Sequence, residues 1–291
     1  WIFGLDNPSI MPFLQNADNA ELREQMLNAY LMRGNNNNEN DSKATIVKLV
    51  ELRLKKAQIM GCKNYAEYAL DTRMAKTEEA VFDLLDQIWK PALKAAKNEL
   101  KDMTQIAKKE GHKGELKASD WRYYFEKAKV SKFNLTEDEL RPYFKLENVR
   151  EGIFYVANQL YGITFTQLEN VPLPHPEAVA FECKEADGTH LGVIFFDMFA
   201  RPGQKRGGAW CGGFREQVYE NGVRVAPLVT VVGNFTRPVG DQPALLSPDE
   251  VETYFHECGH ALQSLLQDVK YDGLTGITRD FVELPSQIME H

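Results

Sequence analysis

No apolar run in the 291 residues approaches the ~20 needed to cross a bilayer as a helix, so no membrane-spanning helix is predicted. The opening residues, WIFGLDNPSIMPFLQ, carry neither a basic leader nor a small-residue cleavage site, and neither secretion nor membrane attachment is expected from them. Cysteine is sparse. Cys62, Cys183, Cys211 and Cys258 show no paired spacing, which argues against a disulfide framework or a cysteine zinc site and fits a reducing compartment. A cytoplasmic location follows, with the periplasm as the alternative should a leader precede residue 1. An excess of basic charge is also missing: 34 Lys and Arg face 42 Asp and Glu, a net charge of −8, which disfavours nucleic acid as a partner. The lysine-rich stretch 90–117 alternates with glutamate and apolar residues, as a solvated helix face does. GNNNNEND, residues 34–41, has little to bury and reads as an exposed loop.

What is present is a globular composition, 43% hydrophobic and 26% charged, able to bury one or two cores. Residues 1–175 read as a helical region. SKATIVKLVELRLKKAQIMG has apolar residues at helical spacing up to Gly61, and TEEAVFDLLDQIWKPALKAAKNELKDMTQIAKKEG is a longer example in which Pro91 predicts a kink. Thr136 and Glu139 form a capping-box pattern, and LENVREGIFYVANQLYG predicts a helix closing at Gly162. Trp121, Tyr123, Tyr124 and Phe125 are expected in the core.

From residue 176 to 291 the period changes. AVAFECKE and HLGVIFFDMF flank Asp187-Gly188, and REQVYE and VRVAPLVTVV flank Asn221-Gly222, two hairpin signals. The expected fold is α+β and predominantly helical, with a small antiparallel sheet followed by the helices of the candidate site.

SPDE at 247–250 starts the helix that matters most: Ser247 can cap, Pro248 suits the first turn and Glu250 completes a capping box. It leads into TYFHECGHALQSLL. His256 and His260 stand one turn apart on one face of that helix, so both imidazoles can converge on one point, with Glu257 beside it. This H-E-x-x-H spacing suits Zn²⁺ held by two neutral imidazoles, with the carboxylate as proton acceptor. A catalytic zinc needs a third protein ligand. Downstream, TGITRDFVELPSQIMEH offers Asp280, Glu283 and Glu290. Glu283 is preferred, because a turn at Asp272-Gly273 lets a second segment run back past the metal, buried by Phe281, Val282, Leu284, Ile288 and Met289.

YFHECGHALQ followed by RDFVELPSQIMEH resembles the thimet oligopeptidase, neurolysin and dipeptidyl carboxypeptidase family of zinc metallopeptidases. The resemblance extends through YAEYALDTRMAKT, SDWRYYFEKAKV, LGVIFFDMFARPGQKRGGAW and VGNFTRP. It implies a zincin-like fold, one zinc per chain on His256, His260 and Glu283, Glu257 as general base, and short peptide substrates reached through a deep channel by a monomer. The RDFVELPSQIMEH segment is closer to the dipeptidyl carboxypeptidases than to the oligopeptidases. Cys258 stands where the family has phenylalanine and Gln263 where it has histidine; neither is a ligand position, and Cys258 is expected as a small core residue. Family members are much longer, so the resemblance also implies truncation at both ends. The tyrosines and histidine that stabilise the family's tetrahedral intermediate would follow residue 291, and the 291 residues alone are expected to be inactive or nearly so.

Glu252, one turn before His256, is a candidate to orient that ring through its other nitrogen. Gly208 and Ala209, in the GGAW stretch, are candidates for an edge that pairs with substrate backbone. The rival reading is a catalytically silent peptide-binding module of the same fold; Glu257 argues against it, since binding alone needs no base.

Overall fold

The computed structural model describes residues 2–238, 240, 242–271 and 273–291, and of 137 and 138 the backbone alone. They form two compact units, Trp1–Asn134 and Leu135–His291. The α+β, mainly helical class predicted from the sequence holds for the chain.

The first unit is helical: α1 (Asn7–Asn16), α2 (Ala20–Leu31), α3 (Lys43–Ile59), α4 (Tyr65–Leu70), α5 (Glu78–Lys109) and α6 (Trp121–Phe133). Thr77 caps α5 by accepting from the Ala80 amide at 3.2 Å, and the helix continues through Pro91. Met103 and Ala107 of α5 pack with Tyr123 and Tyr124 of α6 in a small core. Trp121 and Phe125 do not join it: they are 51% and 41% exposed, because α6 buries one side only and the rings at 121 and 125 lie one turn apart on the other. The unit is cross-braced by Arg23, which bonds Asp120 at 2.6 Å with both side chains almost wholly buried and also donates to the carbonyls of Ala17 and Asp18.

The second unit opens with α7 (Glu137–Leu140) and α8 (Leu146–Tyr161). Thr136 and Glu139 exchange the bonds of the expected capping box, and Gly162 closes α8 at a φ of +72°. Seven strands follow: β1 (Thr164–Leu168), β2 (Val179–Lys184), β3 (His190–Phe199), β4 (Trp210–Arg215), β5 (Val218–Glu220), β6 (Val223–Val225) and β7 (Leu228–Phe235). β1 corrects the reading of the first 175 residues as helical throughout. Its TFTQL sequence leaves only Phe165 and Leu168 half-buried, too faint a period-two signal to register.

Both hairpins form where the turn residues predict them, β2–β3 around Gly188 and β5–β6 around Asn221-Gly222, whose φ values of +51° and +79° suit a tight two-residue turn. The main sheet has the order β1-β2-β3-β7-β4. It is mixed, since β3 and β7 run parallel where the turn signals predict antiparallel pairing. Turn residues report a local chain reversal, whereas this pairing joins strands on either side of β4 and the β5–β6 hairpin. β4 pairs with β7 and forms one edge of the sheet.

The core of this unit lies between the sheet and the helices α8 and α9 (Pro248–Leu265). Phe154 of α8, Phe196 of β3 and Tyr254 of α9 form a chain of ring contacts through it, and Cys258 is buried there as expected. A last helix, α10 (Glu283–Glu290), packs on α9. Among the described residues no helix is long and apolar enough to cross a membrane.

Candidate metal centre

The start of α9 is fixed on both sides. Ser247 and Glu250 exchange backbone and side-chain hydrogen bonds at 2.9 and 3.2 Å, and the second oxygen of Glu250 accepts from the Thr236 amide just after β7 at 2.8 Å. The helix therefore leaves the sheet with a set rotation. That rotation places Tyr254, Cys258, Ala261 and Leu265 in the core and turns His256 and His260 toward a cleft beside β4.

α10 approaches α9 at Gly259. A Cβ there would lie 2.5 Å from the Pro285 carbonyl oxygen and 2.6 Å from Cα of Ser286, so only glycine permits this crossing. The contact buries Ser286 and Met289, one turn apart. Phe281, Leu284 and Ile288 remain exposed, contrary to the expectation that they bury the segment; an eight-residue helix against one neighbour covers a single stripe. Of the turn predicted before it, Asp272 lies outside the described residues, and Gly273 has a φ of +83°.

At the crossing, Oε2 of Glu283 comes 3.3 Å from Nε2 of His256 and 3.2 Å from Nε2 of His260. The three ligand atoms all lie within 4.8 Å of one another. Tetrahedral zinc with bonds of about 2.0–2.1 Å places its ligand atoms roughly 3.3 Å apart, so the spacing and the two-imidazole, one-carboxylate donor set both suit that ion. Burial lowers the His260 pKa, the Glu283 carboxylate working against it, which favours the neutral imidazole a metal requires.

Glu257 sits beside this group in the same cleft. It is 7% exposed, and its Oε2 is buried with no hydrogen-bond partner among the described residues. Burial raises its pKa, joined by the Glu283 charge and opposed by His256 and the Cys211 backbone. An unpartnered carboxylate oxygen beside three converging side chains able to hold a metal is what a proton acceptor for a reacting water needs.

The carboxylate on Nδ1 of His256 is that of Glu290, at 2.6 Å. Glu252 is exposed, since side chains on a helix tilt toward its N-terminus and carry residue 252 away from the ring one turn later. In the sequence Glu290 reads only as a candidate ligand. Its spacing of seven from Glu283, two turns on one face of α10, was the signal that both carboxylates meet the histidine helix together. Ser286 and Gly259 carried no such signal.

The opposite wall is β4. Ala209, Trp210, Cys211, Gly212 and Gly213 line the cleft; Gly208 precedes the strand, its carbonyl accepting from Asn234 at 2.6 Å. Burial, with the Glu257 charge adding to it, pushes the Cys211 thiol up to about 12, so it stays protonated and unreactive at neutral pH.

A profile of peptidase family M3 matches residues 13–291. The chain belongs to peptidase family M3. Along its whole length this M3 chain is 38% identical to a dipeptidyl carboxypeptidase of Salmonella typhimurium, 38% identical to the organellar oligopeptidase A of Arabidopsis thaliana, and 36% identical to oligopeptidase A of Salmonella typhimurium. It spans 43%, 38% and 44% of those relatives, less than half of each.

Proposed function

We propose that this chain carries the metal centre of a zinc metallopeptidase that hydrolyses short peptides, of dipeptidyl carboxypeptidase or oligopeptidase type. The observation that carries the reading is the convergence of His256, His260 and Glu283 at ligand spacing with the Glu257 carboxylate, whose Oε2 has no partner among the described residues, beside them. His256, His260 and Glu283 would hold one zinc ion. Bound there, zinc supplies a Lewis acid for the scissile carbonyl and makes water acidic enough to ionise near neutral pH. Glu257 takes the proton of the attacking water and passes it to the leaving amine, a role its burial suits by raising the carboxyl toward the working pH.

Glu290 holds His256 in the tautomer whose Nε2 is free. The exposed edge of β4, together with Ala209 and Gly208 before it, is positioned to pair with an extended peptide, which would thread the cleft between that strand and α9. The relatives' names include both a dipeptidyl carboxypeptidase and an oligopeptidase, each 38% identical, which supports a peptidase of either type.

The 291 residues on their own are expected to turn over peptide slowly. Among the described residues the cleft is lined by no tyrosine, and by no histidine besides the two ligands, leaving few donors for the oxyanion, a role in which one donor is worth ~3–4 kcal/mol. The net charge of −8 supports a reading without nucleic acid as a partner, and the unpaired spacing of the four cysteines supports a cytoplasmic location, with the periplasm as the alternative.

The test is metal analysis and fluorogenic-peptide hydrolysis on the full-length protein and its Glu257→Gln and Glu283→Ala variants. Glu257→Gln should keep zinc and lose most turnover; Glu283→Ala should lose both. Turnover of Glu257→Gln near the parent rate would remove the general-base role, and full zinc content in Glu283→Ala would remove the third ligand.

A further inference from the structure

Glu283 is the weak point of the proposed site. Its side chain is 54% exposed, whereas His256 and His260 are held in α9 with most of their surface covered. An exposed glutamate samples many rotamers and loses that freedom on binding. Apart from the two imidazoles, the hydrogen bond that reaches the Glu283 carboxylate among the described residues comes from Ser286, whose Oγ lies 3.0 Å from Oε2. Oε2 is also the oxygen facing both histidines.

The serine is 0% exposed, and a hydroxyl in that setting must find an acceptor. It has two within reach, the Glu283 carbonyl at 2.9 Å and the Glu283 carboxylate. Its height is set by α9 itself, since its Cα rests against the open side of Gly259.

We infer that Ser286 is a positioning residue for the metal: its hydroxyl, fixed where α10 crosses α9, holds Oε2 of Glu283 at the point on which His256 and His260 converge. The inference rests on the metal-centre reading above. A serine that served only to satisfy the backbone at the start of α10 would bond the carbonyl and leave the ligand oxygen free. Such a residue would contribute to folding and leave metal affinity untouched.

The experiment measures zinc affinity of the full-length protein by competition with a chromophoric chelator, and the visible spectrum of its cobalt-substituted form, for the parent, Ser286→Ala and Ser286→Cys. Partners of this kind typically govern ~10- to 100-fold of metal affinity. Ser286→Ala should weaken zinc by about that factor and alter the cobalt spectrum, with the thermal midpoint of the metal-free protein nearly unchanged; Ser286→Cys, a poorer donor of similar shape, should fall between. Zinc affinity within twofold of the parent, with the cobalt spectrum unchanged, would overturn the inference. If Ser286→Ala does not fold, Ser286→Cys decides: a several-fold loss supports the role and parental affinity overturns it. A parent that takes up no zinc sinks the metal-centre reading and this inference together, whereas a parent that binds zinc no better than its variants sinks this inference alone.

Discussion

Gly259 and Ser286 touch through the missing side chain of the glycine: a Cβ on residue 259 would stand 2.6 Å from Cα of Ser286 and 2.5 Å from the carbonyl oxygen before it. Two effects of adding that methyl oppose each other. Alanine in place of glycine inside a helix is worth ~0.5–1 kcal/mol in its favour, while forcing an atom into a packed crossing costs ~1–3 kcal/mol. The obstructing atoms are backbone and cannot rotate away, so packing wins.

Gly259→Ala should therefore lower stability by about 0.5–2 kcal/mol, the difference of those ranges, and weaken zinc as Glu283 is pushed off the histidines. Chemical denaturation with and without zinc reads both. A variant more stable than the parent with unchanged zinc affinity would show that the helices part without cost.

Glu290→Gln replaces a charged acceptor on His256 Nδ1 by a neutral one. Zinc affinity should fall ~10- to 100-fold, while the fold persists because the amide can still accept that hydrogen bond. Chelator competition measures the first and circular dichroism the second. Glu252→Gln, at an exposed position, should leave affinity alone.

Acid stability should depend on Asp197, which bonds Arg201 with its two oxygens at 2.7 and 2.5 Å and lies 3.3 Å from Lys205, with Glu177 and Arg237 completing the group. Burial works to raise its pKa, yet the hydrogen bond to Arg201 and the Lys205 charge outweigh it and hold the carboxyl below the ordinary 3.8. A carboxyl depressed in the folded state contributes stability that is complete above the unfolded value, about pH 4, and is lost as pH falls through the folded one. Denaturation midpoints should thus drop more steeply below about pH 4 in the parent than in Asp197→Asn, which is less stable at pH 7. Parallel curves would refute this.

In the helical unit, Asp120→Ala leaves the buried Arg23 guanidinium without its carboxylate. Breaking such a pair costs ~3–5 kcal/mol. Arg23 keeps the carbonyls of Ala17 and Asp18, which sets the expectation at the lower end of that range, and urea unfolding will report it. A loss below about 1 kcal/mol, the scale of an exposed ion pair, would show that solvent reaches the arginine.

How much of the site was legible in the sequence follows from the range of the interactions involved. His256, Glu257 and His260 are fixed by helix period and by the Ser247–Glu250 cap, both local, and the hairpins by Gly188 and Asn221-Gly222. Glu283 was reachable because two candidate ligands call for a third and the resemblance implies which. Glu290 on His256 was not resolved, since ligand and ligand-orienting carboxylates look alike in sequence. Gly259 reads as a poor helix residue until α10 is laid across it. The parallel β3–β7 pairing has no local signature, and β1 has too little burial to show a period.

That same pairing dictates the order in which the chain can come together. β4 precedes β7 in sequence, yet β7 is the strand it pairs with, while β7 joins the rest of the sheet only through its parallel pairing with β3. Pairings across long stretches of chain form slowly because the entropy of closing the loop is lost before the contact is gained. The joining of that wall to the rest of the sheet, through β3 and β7, is thus expected to come late in folding. A chain emerging from synthesis must complete residues 228–235 before residues 210–215 have a place to go, and during that interval an unpaired strand edge is open to the wrong partner.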